Sequence, residues 1–157
     1  EGVSVLDFLK LAYNSSQSLK DKKFVPLDSF EFSKILEKEF EFLGIDESFM
    51  ERSINAGFSG GEKKKMEILQ VLLLKPKFAV IDEIDSGLDV DALKIAARGI
   101  NRLIKEGTSL LIITHYNRII GYLDRIDKVS VMKDGKIAET GGKEILEKVE
   151  KEGCGAF

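Results

Sequence analysis

The chain has 157 residues, 43% of them hydrophobic and 32% charged, with a formal net charge of -3; this is a globular composition, long enough for one domain or two small subdomains around a shared core. The acidic balance argues against non-specific nucleic-acid binding, and no apolar run approaches the roughly 18 residues of a membrane span, so direct membrane insertion is not expected. Cys154 is the single cysteine, which allows no internal disulfide and points to a reducing, cytoplasmic compartment.

The sequence opens on Glu1, without a signal-peptide pattern and directly in structured-looking residues, so a fragment, a processed product or an incomplete chain is expected. Apolar spacing predicts a helix over residues 3–13. Residues 14–29 are polar, contain Pro26 and read as a loop. Phe32, Ile35, Leu36, Phe40 and Leu43 then form the stripe of an amphipathic helix. Asp28 and Glu31 supply a capping box at its start, and Gly44 ends it. A short turn follows over residues 45–56.

The next helix covers residues 63–74 and stops before Pro76. Residues 77–82 and 109–114 are short apolar runs without alternation, the pattern of strands buried on both faces. Between them, residues 91–105 form a helix with Leu93, Ala96, Ile100, Leu103 and Ile104 on one stripe. A short helix is expected over residues 117–123. Residues 128–140 alternate and turn at Asp134-Gly135, a hairpin signal. A charged helix over 142–152 closes the pattern. The result is an α/β fold with parallel strands and an antiparallel hairpin near the C-terminus. Residues 1–58 read as a mostly helical subdomain and residues 59–157 as a helix leading into the α/β core.

Three stretches could carry chemistry. In "GFSGGEKKK", Ser59 and Glu62 fit a plain capping box. Gly60 and Gly61 do not, because each costs about 1 kcal/mol against alanine in a helix. An anion site would explain them: free N–H groups and the helix dipole attract phosphate, and glycine lets it come close. In "FAVIDEIDSGLD", Asp82 and Glu83 stand at the C-terminal end of a strand, where ligand sites of α/β sheets lie. Asp82 could hold a magnesium ion and Glu83 could polarise a water; loop carboxylates or helix caps would look the same. Asp85, Ser86 and Asp89 follow in a tight turn. In "LLIITHY", His115 is the only histidine and ends the second strand on the same edge of the sheet.

In order and spacing, "SGGE", "VIDE", "SGLD" and "ITH" resemble the signature motif, Walker B, D-loop and switch histidine of ATP-binding-cassette (ABC) ATPases, which have a P-loop NTPase-like domain. "GFSGGEKKKMEILQ", "IDEIDSGLDVDALK" and "THYNRII" are similar to the SufC family, the soluble ATPases of SUF iron–sulfur cluster assembly. Glu62 stands where transporter ATPases carry glutamine, and Ile84-Asp85 where they carry proline and threonine.

The resemblance implies an ATP-dependent, head-to-tail homodimer that uses ATP and Mg2+ and works on a SufB/SufD-type scaffold. Ser59, Gly60 and Gly61, with Glu62 in the same motif, would meet the γ-phosphate held by the opposite subunit. Asp82 would position magnesium, Glu83 would act as general base, His115 would contact the γ-phosphate, and Asp89 would link the two sites. No G-x-x-x-x-G-K-[ST] loop occurs in the chain, nor the family's Q-loop glutamine or adenine-stacking aromatic. The resemblance is thus to the C-terminal part of the domain, which alone is expected to bind ATP weakly or not at all and not to be active, and whose strands are expected to have open edges. Two other readings stay open: the ATPase subunit of a membrane transporter, and a non-catalytic binding or dimerisation module. The helical front is the implied coupling region. Among its phenylalanines (Phe8, Phe30, Phe32, Phe40 and Phe42), core positions are expected for most.

Overall fold

The computed structural model describes residues 2–115 and 118–153. In chain order it contains α1 (Val5–Lys20), α2 (Ser29–Leu43), a 3-10 turn (Glu47–Met50), α3 (Gly60–Leu74), β1 (Phe78–Asp82), α4 (Val90–Lys105), β2 (Ser109–Ile113), a second 3-10 turn (Ile120–Tyr122), β3 (Val129–Lys133), β4 (Lys136–Gly141) and α5 (Glu144–Glu152). β1 and β2 pair in parallel, with Phe78 opposite Ser109 and Asp82 opposite Ile113. β3 and β4 form the antiparallel hairpin, with Asp134 and Gly135 both at positive φ in its turn. The α/β architecture expected from the sequence is present.

Helix α3 is the centre of the packing. Met66, Ile68, Leu69, Leu72 and Leu73 are all buried on it. They join Val5 and Leu9 of α1, Phe32, Leu36, Phe40 and Leu43 of α2, and Leu93, Ala96, Ala97, Ile100 and Leu103 of α4 in one continuous cluster. The helical front and the α/β segment therefore share a core. Burying a side chain of this size stabilises by about 1.5–3 kcal/mol.

Polar contacts lock the same elements. Arg102 on α4 makes a bidentate pair with Glu39 on α2, at 2.7 and 2.8 Å. Its Nε donates to Glu106 at 2.9 Å, and Lys75 lies 3.0 Å from the same carboxylate. The hydrogen bond from Arg102, and then that from Lys75, holds the Glu106 carboxyl below its ordinary value of 4.5. Arg98 and Arg102 both lie over the half-buried Phe42 ring, each 4.9 Å from its centroid.

Three expectations need correction. Residues 14–20 are helical rather than loop, since α1 runs to Lys20. Nothing in "NSSQSLK" breaks a helix, and tertiary contacts support the extension. Asn14 exchanges two hydrogen bonds with the backbone of Leu27, at 2.9 and 3.0 Å. Lys20 donates to the carbonyls of Leu74 and Lys75, at 2.6 and 3.1 Å.

The strands are not buried on both faces either. Ile81, Leu110 and Ile112 turn to the core, while Phe78, Val80, Leu111 and Ile113 stand 48–59% exposed on the opposite face. A two-stranded sheet covered on one side accounts for this, and each strand is paired along one edge only. The helix expected over residues 117–123 is a 3-10 turn at Ile120–Tyr122; Asn117 and Cys154 lie outside the described residues. Of the five phenylalanines of the helical front, Phe32 and Phe40 are buried, Phe42 is half-buried, and Phe8 and Phe30 are 37% and 68% exposed, so fewer than expected are full core positions.

One glycine inside a helix has a packing reason. A Cβ on Gly99 of α4 would lie 2.5 Å from Cγ2 of Ile68 on α3. That methyl sits on a stiff β-branched side chain that is itself buried. Alanine would gain about 1 kcal/mol of helix propensity, but overpacking a close-packed core costs about 1–3 kcal/mol. Gly99→Ala is therefore predicted to lower the midpoint of chemical denaturation. A raised midpoint would show that α3 and α4 are not held this close.

Candidate functional site

Parallel pairing brings the ends of β1 and β2 to one edge. Past the last pair, the Glu83 N–H still donates to the Ile113 carbonyl, at 2.8 Å. Glu83 itself sits at φ +47, a left-handed conformation that non-glycine residues seldom adopt. Ser86 N–H donates back to the Glu83 carbonyl at 3.1 Å, so the chain turns at once. Asp82 and Glu83 are left outward, while Ile84 and Asp85 point in.

This turn brings two of the singled-out residues together. His115 Nδ1 lies 3.1 Å from Glu83 Oε1, both side chains being half exposed. Their separation in sequence is large, and the strand register alone makes them neighbours. Asp82 is exposed beside them. Among the described residues, no three histidine, cysteine or acidic side chains converge on a metal position. One carboxylate at the open strand end fits magnesium held mainly by substrate phosphates and water.

The contact that holds the turn is less visible in sequence. Asp85 is fully buried, and Thr114 Oγ1 donates across its two oxygens, at 2.9 and 2.8 Å. A buried carboxylate is tolerated when hydrogen-bonded. Thr114 directly follows β2 and directly precedes His115, so the bond ties the Glu83 turn to the His115 strand end. The in-register strands were the available signal for this pair.

Ser59, Gly60, Gly61 and Glu62 lie at the start of α3. Ser59 N–H donates to Glu62 Oε2 at 2.6 Å, and Glu62 N–H to Ser59 Oγ at 3.3 Å. The capping box is formed. The Ser59 N–H first, and then its hydroxyl, hold the Glu62 carboxyl below its ordinary range.

The glycines have no such internal reason. A Cβ on Gly60 would meet nothing within 4 Å, and one on Gly61 would meet only Leu88 Cδ2, at an ordinary 3.8 Å. Neither glycine has the positive φ that would exclude a side chain. The chain's own fold would accept alanine at both. The 3.8 Å distance from Leu88 Cδ2 places the helix start near the 85–89 turn. Asp89 caps α4, its Oδ1 accepting from Ala92 N–H at 2.7 Å.

Removing the Thr114 hydroxyl should isolate the Asp85 carboxylate. Leaving a buried acceptor unsatisfied costs about 1–3 kcal/mol. Thr114→Val is predicted to destabilise the chain by that amount in chemical denaturation. An unchanged free energy of unfolding would mean that water replaces the bond and the turn is not held this way.

The comparisons with known proteins bear on the fold. No protein-family model matches the chain. A Synechocystis protein named "Probable ATP-dependent transporter" is 45% identical over 152 residues, 97% of this chain. The chain spans 58% of that protein's length. Among solved structures, a nucleotide-free ATP-binding cassette from an ABC transporter superposes with a TM-score of 0.66 at 27% identity, covering 96% of this chain and 60% of that one. A dimeric ATP-binding cassette in a post-hydrolysis state, bound to ADP and phosphate, superposes with a TM-score of 0.70 at 16% identity, covering 89% of this chain and 56% of that one. The chain thus has the α/β fold of an ATP-binding cassette over the matched part, and sequence likeness accompanies it.

Proposed function

We propose that these residues form part of an ABC-type ATPase that hydrolyses ATP at the interface of a head-to-tail homodimer. The observation that carries the reading is the Glu83–His115 pair, 3.1 Å apart at the joint end of β1 and β2. It lies on the same edge as the exposed Asp82, and Leu88 of the following turn lies near the glycine-led start of α3.

In this reading the phosphate loop comes from outside the 157 residues. Ser59 Oγ and the N–H groups of Gly60 and Gly61 bind the γ-phosphate carried by the opposite subunit. Glu83 orients a water and takes its proton as the water attacks phosphorus. Nδ1 of His115 is engaged by Glu83, which fixes the imidazole beside that phosphate. Asp82 would hold magnesium, whose charge offsets that of the phosphates when it is bound. Asp89, at the cap of α4, lies where a turn could reach across the dimer. Catalysis then rests on positioning and preorganised charge.

The finer reading is a SufC-like subunit that couples ATP to iron–sulfur cluster assembly on a soluble SufB/SufD-type scaffold. Glu62 and the Ile84-Asp85 pair support it. Ile84 and Asp85 are buried, at 2% and 0% exposure, so they distinguish the family from inside the turn and not through a docking surface. The name of the Synechocystis relative favours the second reading, the ATPase subunit of a transporter. Among the described residues, no helix is long and apolar enough to cross a membrane. Co-purification of the complete protein with soluble scaffold subunits supports the first reading; co-purification with membrane subunits supports the second.

Glu83→Gln in the complete ATPase tests the catalytic assignment. The change is nearly isosteric and removes the proton acceptor, a contribution of about 10²- to 10⁴-fold. Phosphate release should fall by that factor, while ATP still binds and the ATP-bound dimer persists in light scattering. A small loss of rate with no trapped dimer would mark Glu83 as a loop carboxylate without a catalytic role.

A further inference from the structure

The segment that leads into Ser59 is tied by Ile54 N–H to the Val3 carbonyl at 2.9 Å and by Ala56 N–H to the Ser53 carbonyl at 3.1 Å. Asn55 and Gly57 sit at φ +60 and +67. Asn55, Ala56 and Gly57 are all exposed. Arg52 gathers this segment. Its guanidinium carbon lies 4.1 Å from the centroid of the Phe49 ring and 4.8 Å from that of Phe58. Both rings are buried and lie 5.0 Å apart. Its Nη2 donates to the carbonyls of Gly57 and Ala56, at 3.2 and 3.4 Å.

The backbone of Arg52 is fixed as well. Val5 N–H donates to its carbonyl at 2.9 Å, and its own N–H donates to Phe49 at 3.2 Å. Among the described residues no carboxylate forms an ion pair with it. Its Nη2 donates to the loop and its plane covers the rings, and its charge, after the hydrogen bonds from Ser59, helps hold the Glu62 carboxyl below its ordinary range.

We infer that Arg52 is a positioning residue of the ATPase, setting the approach of Ser59, Gly60 and Gly61 to the phosphate of the opposite subunit. The inference rests on the proposed ATPase function. Phe58 directly precedes Ser59, so the ring that Arg52 covers and the carbonyls it grips fix the last residues before α3. A planar guanidinium can cover a ring face and donate to adjacent carbonyls together, and lysine cannot do both. The helix itself needs none of this, because Ser59 and Glu62 already cap it. What Arg52 adds is the direction in which the capped end faces, and a displacement of about 1 Å at a reacting group can cost about 10²-fold in rate.

Arg52→Lys tests this in the complete ATPase carrying Glu83→Gln, with ATP and magnesium. The expected result is at least a tenfold loss in ATP-driven dimer affinity, with nucleotide affinity of the single subunit and thermal midpoint nearly unchanged. Amide exchange should accelerate at least tenfold over residues 56–61 and not at Leu69 or Leu72. A dimer affinity within twofold of the parent overturns the inference. If the complete protein hydrolyses no ATP and Glu83→Gln yields no ATP-stabilised dimer, the ATPase reading fails first and this inference falls with it. If Arg52→Lys lowers the thermal midpoint strongly, the exchange pattern decides: acceleration throughout the core makes Arg52 a general structural residue and overturns the proposal.

Discussion

The close packing of α3 against α4 anchors the helical front and the start of α3. Gly99 lets Ile68 reach the backbone of α4, and the buried side of α3 fills the space between α1, α2 and α4. The C-terminal end of α3 is closed by Lys20, which binds the carbonyls of Leu74 and Lys75. Its N-terminal end emerges at the surface, with Ser59 and Gly60 exposed. A helix clamped along its length and at one end presents its other end rigidly. That suits a group meant to meet something outside the chain.

The second constraint is the parallel register of β1 and β2. It brings Glu83 and His115 together without any local sequence relation between them. Asp85 and Thr114 then hold the two strand ends from beneath. The left-handed backbone of Glu83 is the cost of turning so sharply, on the order of 1–3 kcal/mol. The turn continues through Leu88, which is buried in the same cluster as the side chains of α3.

Most of this layout was legible in the sequence because periodicity and punctuation carry it. The stripe at Phe32, Leu36, Phe40 and Leu43, the stop before Pro76 and the Asp134-Gly135 turn each act locally. What stayed hidden depends on tertiary contacts. The extra turns of α1 have a polar sequence, and Asn14 and Lys20 hold them through partners distant in the chain. Phe78 and Val80 read as core because an apolar run does not reveal which face is covered. Both the role of Arg52 against Phe49 and Phe58 and the burial of Asp85 follow from loop geometry, and no spacing rule reports that. At Ser59 and Glu62 the sequence admitted a structural cap and an anion site together. The structure forms the cap, and it leaves the glycines without an internal purpose.

Those glycines bear the central claim, that the start of α3 is built for a phosphate arriving from outside the chain. The most direct measurement is the double variant Gly60→Ala/Gly61→Ala in the complete ATPase, followed by denaturation and by steady-state ATP hydrolysis. No clash meets a Cβ at either position, and helix propensity favours alanine by about 1 kcal/mol at each in a helix interior, less at its first turn. The account predicts a stability equal to or above that of the parent, with hydrolysis reduced at least a hundredfold. Hydrolysis at the parent rate in an equally stable variant would contradict it.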